Sequence, residues 1–251
     1  MLESILKLGE VAEKYGLTEN FDRQKFYDML LEESSDYTSN VLKDMKRFFK
    51  EYSFGNNFLL HEVIQQKKGD CLGLTTLFKL FNHKPDVIYL PNHLTLRWNG
   101  KNYEPTNRAS MIADETYIKL LNIPENKIGS VFFRSIEWDG ILVLYLNQLA
   151  SRLNKRAYRA EAMKLIELAL SIDDSFPEVH FNKGVINLES GNLQEALEDF
   201  NQAIELNPRY AEAYLNRGVV KNLMGIRDHN DMRIALKLKP YLKRMGRPLS
   251  L

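Results

Sequence analysis

Cysteine is nearly absent from this chain: Cys71 is the only one in 251 residues. A single thiol excludes an internal disulfide and any cysteine-built metal cluster, and it suits a reducing compartment. Long apolar runs are also missing. The longest, Ile141 to Leu146, falls far short of the roughly 20 residues a membrane-spanning helix needs. Neither sign of charge is in excess, with 34 Lys and Arg against 33 Asp and Glu and a formal net charge of +1. A whole-protein electrostatic attraction to nucleic acid or to an anionic membrane is therefore not indicated. Glu3 lies within the first residues, and no basic-then-apolar leader pattern is present. The expectation is a cytoplasmic protein with no cofactor, no nucleic-acid partner and no membrane association.

What is present begins with helical patterning. Ile5, Leu8, Val11 and Ala12 share one face of a first helix, which Gly16 and Thr18 end. Asn20 is the expected cap of a second helix carrying Phe21, Phe26, Met29 and Leu30. A third runs from about Ser39 to Tyr52 with Val41, Met45, Phe48 and Phe49 inward, and Gly55-Asn56-Asn57 stops it. Leu60, Val63 and Ile64 form a short apolar helix leading to Gly69. His61, Gln65 and Gln66 are the polar residues upstream of the cysteine. Of these, Gln65 is a candidate oxyanion donor through its side-chain amide.

Lys68-Gly69-Asp70-Cys71-Leu72-Gly73-Leu74-Thr75-Thr76-Leu77-Phe78 then places the thiol at a helix start. Asp70 is suited to the N-cap. Leu74, Leu77, Phe78 and Phe81 recur on one apolar face. A thiol in the first turn lies among free N–H groups at the positive end of the helix, a setting that favours the thiolate. Cys71 also extends the apolar face, as a small buried hydrophobe would.

After this helix the period becomes two. Val87 to Leu90 is a short β-rich run, Pro91-Asn92 interrupts it, and His93 to Trp98 alternates strictly. Asn99-Gly100 is a two-residue hairpin signal. It pairs Trp98 with Lys101, Arg97 with Asn102, Leu96 with Tyr103 and Thr95 with Glu104. His93 and Glu104 then share a face as diagonal neighbours, within reach of each other. A slip of one residue would put them on opposite faces. Glu104 would hold one imidazole nitrogen and leave the other for a thiol. Cysteine, histidine and acid follow in the order that a nucleophile, its base and the base's orienter require. Residues 105–136 read as a loop, a short helix near Glu115 to Leu121, an irregular connection from Pro124 to Gly129 and a strand at Val131-Phe132-Phe133.

These segments resemble a family. Lys68-Gly69-Asp70-Cys71-Leu72-Gly73-Leu74-Thr75 is similar to the cysteine helix of transglutaminase-like proteins. Leu90-Pro91-Asn92-His93-Leu94-Thr95-Leu96-Arg97 is similar to their histidine strand, and Tyr103-Glu104-Pro105-Thr106-Asn107 to their acidic segment. The chain most resembles the SirB-type bacterial proteins, which join this domain to tetratricopeptide repeats. The resemblance implies a catalytic Cys71, His93 and Glu104. Glu104 stands where the family more often has Asp, one methylene shorter. Asn107 is the alternative orienter, as in Cys-His-Asn enzymes.

The last third is periodic. Gly184 and Gly218 are 34 residues apart, as are Gly191 and Gly225, and His180 and Tyr214. A 34-residue helix–turn–helix period is the tetratricopeptide signature. The third repeat is shortened, as expected where no neighbour stacks. Packing explains the small residues. Asn182, Lys183, Asn216 and Arg217, on first helices, are candidates for a groove that takes a protein or peptide partner.

The expected fold is α+β. A transglutaminase-like, papain-like domain over 1–136 combines helices with a small antiparallel sheet. An all-α repeat array over 141–240 follows (about 141–176, 177–210 and 211–240), and then a basic tail at 241–251. Two functions follow from this organisation. One is amide hydrolysis or acyl transfer through a thioester on Cys71. The other is an inactive scaffold that binds partners through its repeats.

Overall fold

Local chemistry sets where each element starts and stops. In the computed structural model, residues 2–18, 21–34, 37, 40–227 and 229–240 are described. Helix α1 (Leu2–Lys14) buries Leu8 and Ala12. It closes at Gly16, whose left-handed φ of 64° suits glycine. There Gly16 N–H donates to Glu13 O and Leu17 N–H to Ala12 O. Helix α2 (Arg23–Ser34) starts at Asp22, whose carboxylate accepts from Lys25 N–H at 2.9 Å. The expected cap, Asn20, lies outside the described residues. Helix α3 (Val41–Glu51) is capped by Asn40, which accepts from Lys43 N–H. Its Phe48 stacks on Tyr52 at 4.4 Å and meets Phe78 edge-on, so an aromatic cluster forms the core of the helical part.

Strand β1 (Ser53–Phe54) pairs in parallel with β2 (Lys68–Gly69), with helix α4 (Leu60–Gln66) between them. Lys67, at φ 52°, turns the chain from α4 into β2. Helix α5 (Cys71–Phe81) follows directly and is buried from Leu72 to Lys79.

The main sheet contains β3 (Asp86–Leu90), β4 (His93–Trp98), β5 (Lys101–Glu104), β6 (Ser110–Ile112) and β7 (Arg134–Ile136). They lie in the order β6-β5-β4-β3-β7, every neighbouring pair antiparallel. The expected register at Asn99-Gly100 is present for Leu96 with Tyr103, Arg97 with Asn102 and Trp98 with Lys101. Pro91-Asn92 is itself a hairpin turn, pairing Leu90 with His93.

Two features depart from the sequence reading. The last strand covers Arg134–Ile136 and not Val131–Phe133, because Phe133 has a left-handed φ of 60°, which no strand residue adopts. Strand β6 forms within the segment read as a loop. Helix α6 (Asp114–Leu120) comes after it.

The chain divides into two compact units, Met1–Ile123 with Ile128–Tyr145, and Pro124–Lys127 with Leu146–Leu251. Helix α7 (Trp138–Lys155) contributes to both. The second unit continues with α8 (Arg159–Ile172), α9 (Pro177–Glu189), α10 (Leu193–Leu206), α11 (Ala211–Leu223) and α12 (Asn230–Leu238). Phe181, Phe200 and Tyr210 form its aromatic core. Gly191 and Gly225, at φ 82° and 78°, occupy equivalent turns one repeat apart. The basic tail at 241–251 lies outside the described residues. Among the described residues, no helix is long and apolar enough to cross a membrane.

Candidate functional site

Cys71 is the first residue of α5 and is half-buried. The helix start is held from both sides. Asp70 N–H donates to Asn57 O at 2.7 Å, and the Asp70 carboxylate accepts from Gly73 N–H at 2.8 Å. Leu74 N–H closes the first helical turn onto Asp70 O. The N–H groups of Cys71 and Leu72 precede any intrahelical acceptor, as the first donors of a helix must.

Helix α5 packs on β4, the strand that carries His93. The Cys71 thiol lies close enough to the imidazole to favour its charged form. The other side of the ring meets Glu104 at the end of β5, with Nε2 and Oε2 at 2.7 Å. Three residues distant in sequence therefore converge, and the link from His93 to Glu104 is the diagonal pair set by the Asn99-Gly100 hairpin.

Glu104 is 5% exposed and holds a dense set of partners. Oε1 accepts from Thr106 N–H at 3.0 Å and from Thr106 Oγ1 at 2.5 Å. Oε2 accepts from the Tyr117 hydroxyl at 2.7 Å as well as from His93. Burial alone would raise the pKa of this carboxyl. The His93 hydrogen bond and charge overcome that, helped by Thr106 and Tyr117, and hold it at about 2. Burial alone would likewise disfavour a charged His93. Its interactions with Cys71 and Glu104 overturn that effect and raise it to about 10. Burial and the adjacent Glu104 also raise the Tyr117 phenol.

The other residues singled out upstream and downstream do not join this group. Gln65 is exposed on α4. Asn107 is exposed at the end of the 3-10 turn over Pro105–Asn107, and the acid bonded to the ring is Glu104. Tyr117 was missed by the sequence reading. A tyrosine in a short helix after the hairpin gives no local signal of where its hydroxyl ends up. Among the described residues, no group of histidine, cysteine and carboxylate side chains is arranged to hold a metal ion.

In the second unit, three of the four groove candidates are engaged within the chain. Asn182 donates to Asn147 Oδ1 at 2.8 Å. Lys183 lies 3.2 Å from Asp199. Arg217 clamps both oxygens of Asp231, at 2.9 and 2.6 Å, and reaches Asn201. Asn216 differs: it is 1% exposed, and neither its amide nitrogen nor its oxygen has a partner among the described residues.

Residues 186–225, from within α9 to the turn after α11, match the TPR repeat family. That segment carries the tetratricopeptide repeat pattern. An uncharacterized protein of Methanocaldococcus jannaschii is 42% identical over 48 residues, covering 19% of this chain and 56% of that protein. Tetratricopeptide repeat protein 36 of Danio rerio is 51% identical over 43 residues, 17% of this chain and 23% of that protein. The chain thus spans about half the length of the first relative and a quarter of the second. Similar solved structures include MamA, with 25% identity, a TM-score of 0.39 and coverage of 41% of this chain and 61% of that one. Another is YrrB, described as a TPR protein with an unusual peptide-binding site, with 24% identity, a TM-score of 0.37 and coverage of 39% and 52%.

Proposed function

We propose that the first unit is a transglutaminase-like cysteine catalyst that cleaves or transfers an acyl group at an amide bond, and that the repeats engage a protein or peptide. The observation that carries this reading is the 2.7 Å bond from His93 to Glu104, with the Cys71 thiol among the groups that act on the same imidazole. Sγ attacks the carbonyl carbon, and the oxygen takes up negative charge facing the Cys71 N–H at the helix start. His93 gives its proton to the leaving amine as the C–N bond breaks, which leaves a thioester. Water or a second amine then attacks the thioester carbon. His93 accepts the incoming proton and Sγ departs. Glu104 holds the ring in the tautomer and orientation that both halves need.

Alkylation of the full chain with iodoacetamide tests this, because only one thiol can react. Rapid modification well below the ordinary thiol range of about 8.5, lost in His93→Ala, is expected. A profile centred on the ordinary thiol value and indifferent to His93→Ala overturns it.

A second reading is that the protein acts only as an interaction module. The repeat match over 186–225 favours it. It predicts that Cys71→Ser leaves every property of the full chain intact, including any turnover of amide substrates.

A further inference from the structure

Glu104 departs from the shorter acid of the resembled family, and its surroundings show how the longer side chain is accommodated. A carboxylate offers about four acceptor directions. Here all four are taken: two on Oε1 by the N–H and hydroxyl of Thr106, and two on Oε2 by His93 and Tyr117. The extra methylene lets one side chain cap the 3-10 turn with one oxygen and hold the imidazole with the other. No acceptor direction remains for a proton, nor for rotation of the group. Thr106 belongs to the turn that Glu104 caps, so its two bonds are local. Tyr117 comes from α6, a separate element, and sits on the oxygen that binds the ring.

We propose that Tyr117 is a positioning residue of this site: its hydroxyl pins Glu104 Oε2 and so keeps His93 aimed at the Cys71 thiol. This rests on the reading of Cys71, His93 and Glu104 as the reacting set. Tyr117 is 3% exposed, and its ring centroid lies 6.0 Å from that of His93. The phenol has one proton, and an ionised carboxylate can only accept, so that proton goes to Glu104. Thr95 Oγ1 lies 3.2 Å from the phenol oxygen and donates to Tyr103 O at 3.0 Å. This fixes the side of the ring on which the hydroxyl can lie. Without the hydroxyl, Oε2 has a single partner and the carboxylate can swing on its Thr106 anchor.

The test is Tyr117→Phe in the full chain, which removes one oxygen and keeps the ring. Two readouts are followed: the His93 titration by imidazole NMR, and the pH profile of Cys71 alkylation. The expected result is a His93 midpoint lower by about one unit, equivalent to tenfold in its proton affinity. The alkylation rate near neutral pH falls with it, while the thermal midpoint moves little. A merely structural tyrosine would leave both profiles unchanged. A purely electrostatic one would raise the His93 midpoint, since an unpinned carboxylate left in place accepts more strongly from the ring. Either outcome overturns the proposal. If the wild-type protein itself shows an ordinary thiol profile that ignores His93→Ala, the catalytic reading fails first, and the two failures are thereby separated.

Discussion

Gly73 and Val63 touch where α5 meets α4: a Cβ built on the glycine would stand 2.8 Å from Val63 Cγ2. It would also lie 3.0 Å from Asn57 O and 3.1 Å from Phe58 Cα. The last two are backbone atoms and cannot turn aside. Alanine normally gains about 1 kcal/mol over glycine inside a helix, but overpacking costs about 1–3 kcal/mol, and here the backbone contacts decide the sign. Gly73→Ala should lower the denaturation midpoint. It should also slow Cys71 alkylation, since the helix start that Asp70 and Asn57 fix would shift.

The His93–Glu104 pair should confine stability to a pH window. His93 is raised from 6.5 to about 10. Its contribution is therefore complete below about 6.5 and is lost as pH rises toward 10. Glu104 is lowered from 4.5 to about 2, so its contribution is complete above about 4.5 and is lost as pH falls toward 2. The difference in urea-unfolding stability between the wild type and a variant lacking the pair should show a plateau between the two ordinary values. In Glu104→Gln the amide presents a donor to groups that are already donors. That variant should be less stable on the plateau and lose the alkaline decline assigned to His93.

His61 should act in the opposite sense at mild acidity. It is 4% exposed, lies 3.0 Å from Thr18 Oγ1 and packs edge-on against Phe21 at 4.8 Å. Burial lowers its pKa, against the charges of Glu62 and Glu13, which favour the imidazolium. A histidine held neutral in the fold stabilises above its unfolded value near 6.5, and that contribution is lost as pH falls. His61→Phe keeps the ring and removes the titration. Thr18 retains its 2.7 Å bond to Glu62. Unfolding midpoints between about pH 5 and 7 should change less with pH in this variant than in the wild type.

Gly184 and Gly218 occupy the same position in successive repeats, yet they should respond differently to alanine. A Cβ at 184 would lie 2.8 and 2.9 Å from ring atoms of Phe200, whereas at 218 its nearest neighbour is Asp231 Cβ at 3.4 Å. Phe200 is fully buried and has no room to withdraw. Gly184→Ala is expected to destabilise by about 1–3 kcal/mol. Gly218→Ala should be neutral or gain up to about 1 kcal/mol from helix propensity. Calorimetry of the two variants checks the contrast.

The sequence by itself determined the local periods. Apolar spacing specified α5 and the helices of the second unit, and the 34-residue recurrence of Gly184 with Gly218 and of Gly191 with Gly225 marked the repeats. The Asn99-Gly100 turn determined the register that puts His93 and Glu104 on one face, because side chains alternate every second residue. Only the tertiary structure decided what depends on long-range packing. It placed Tyr117 on Glu104 and Thr18 on His61, paired β1 with β2 in parallel, and turned Phe133 out of the strand expected there. It also separated two glycines that the repeat makes equivalent, since one faces a phenylalanine ring and the other does not. The physical reason is range. Periodicity and turn chemistry act over a few residues and are written along the chain. The atom that fills a given acceptor direction or a given gap is set by elements that meet only after folding.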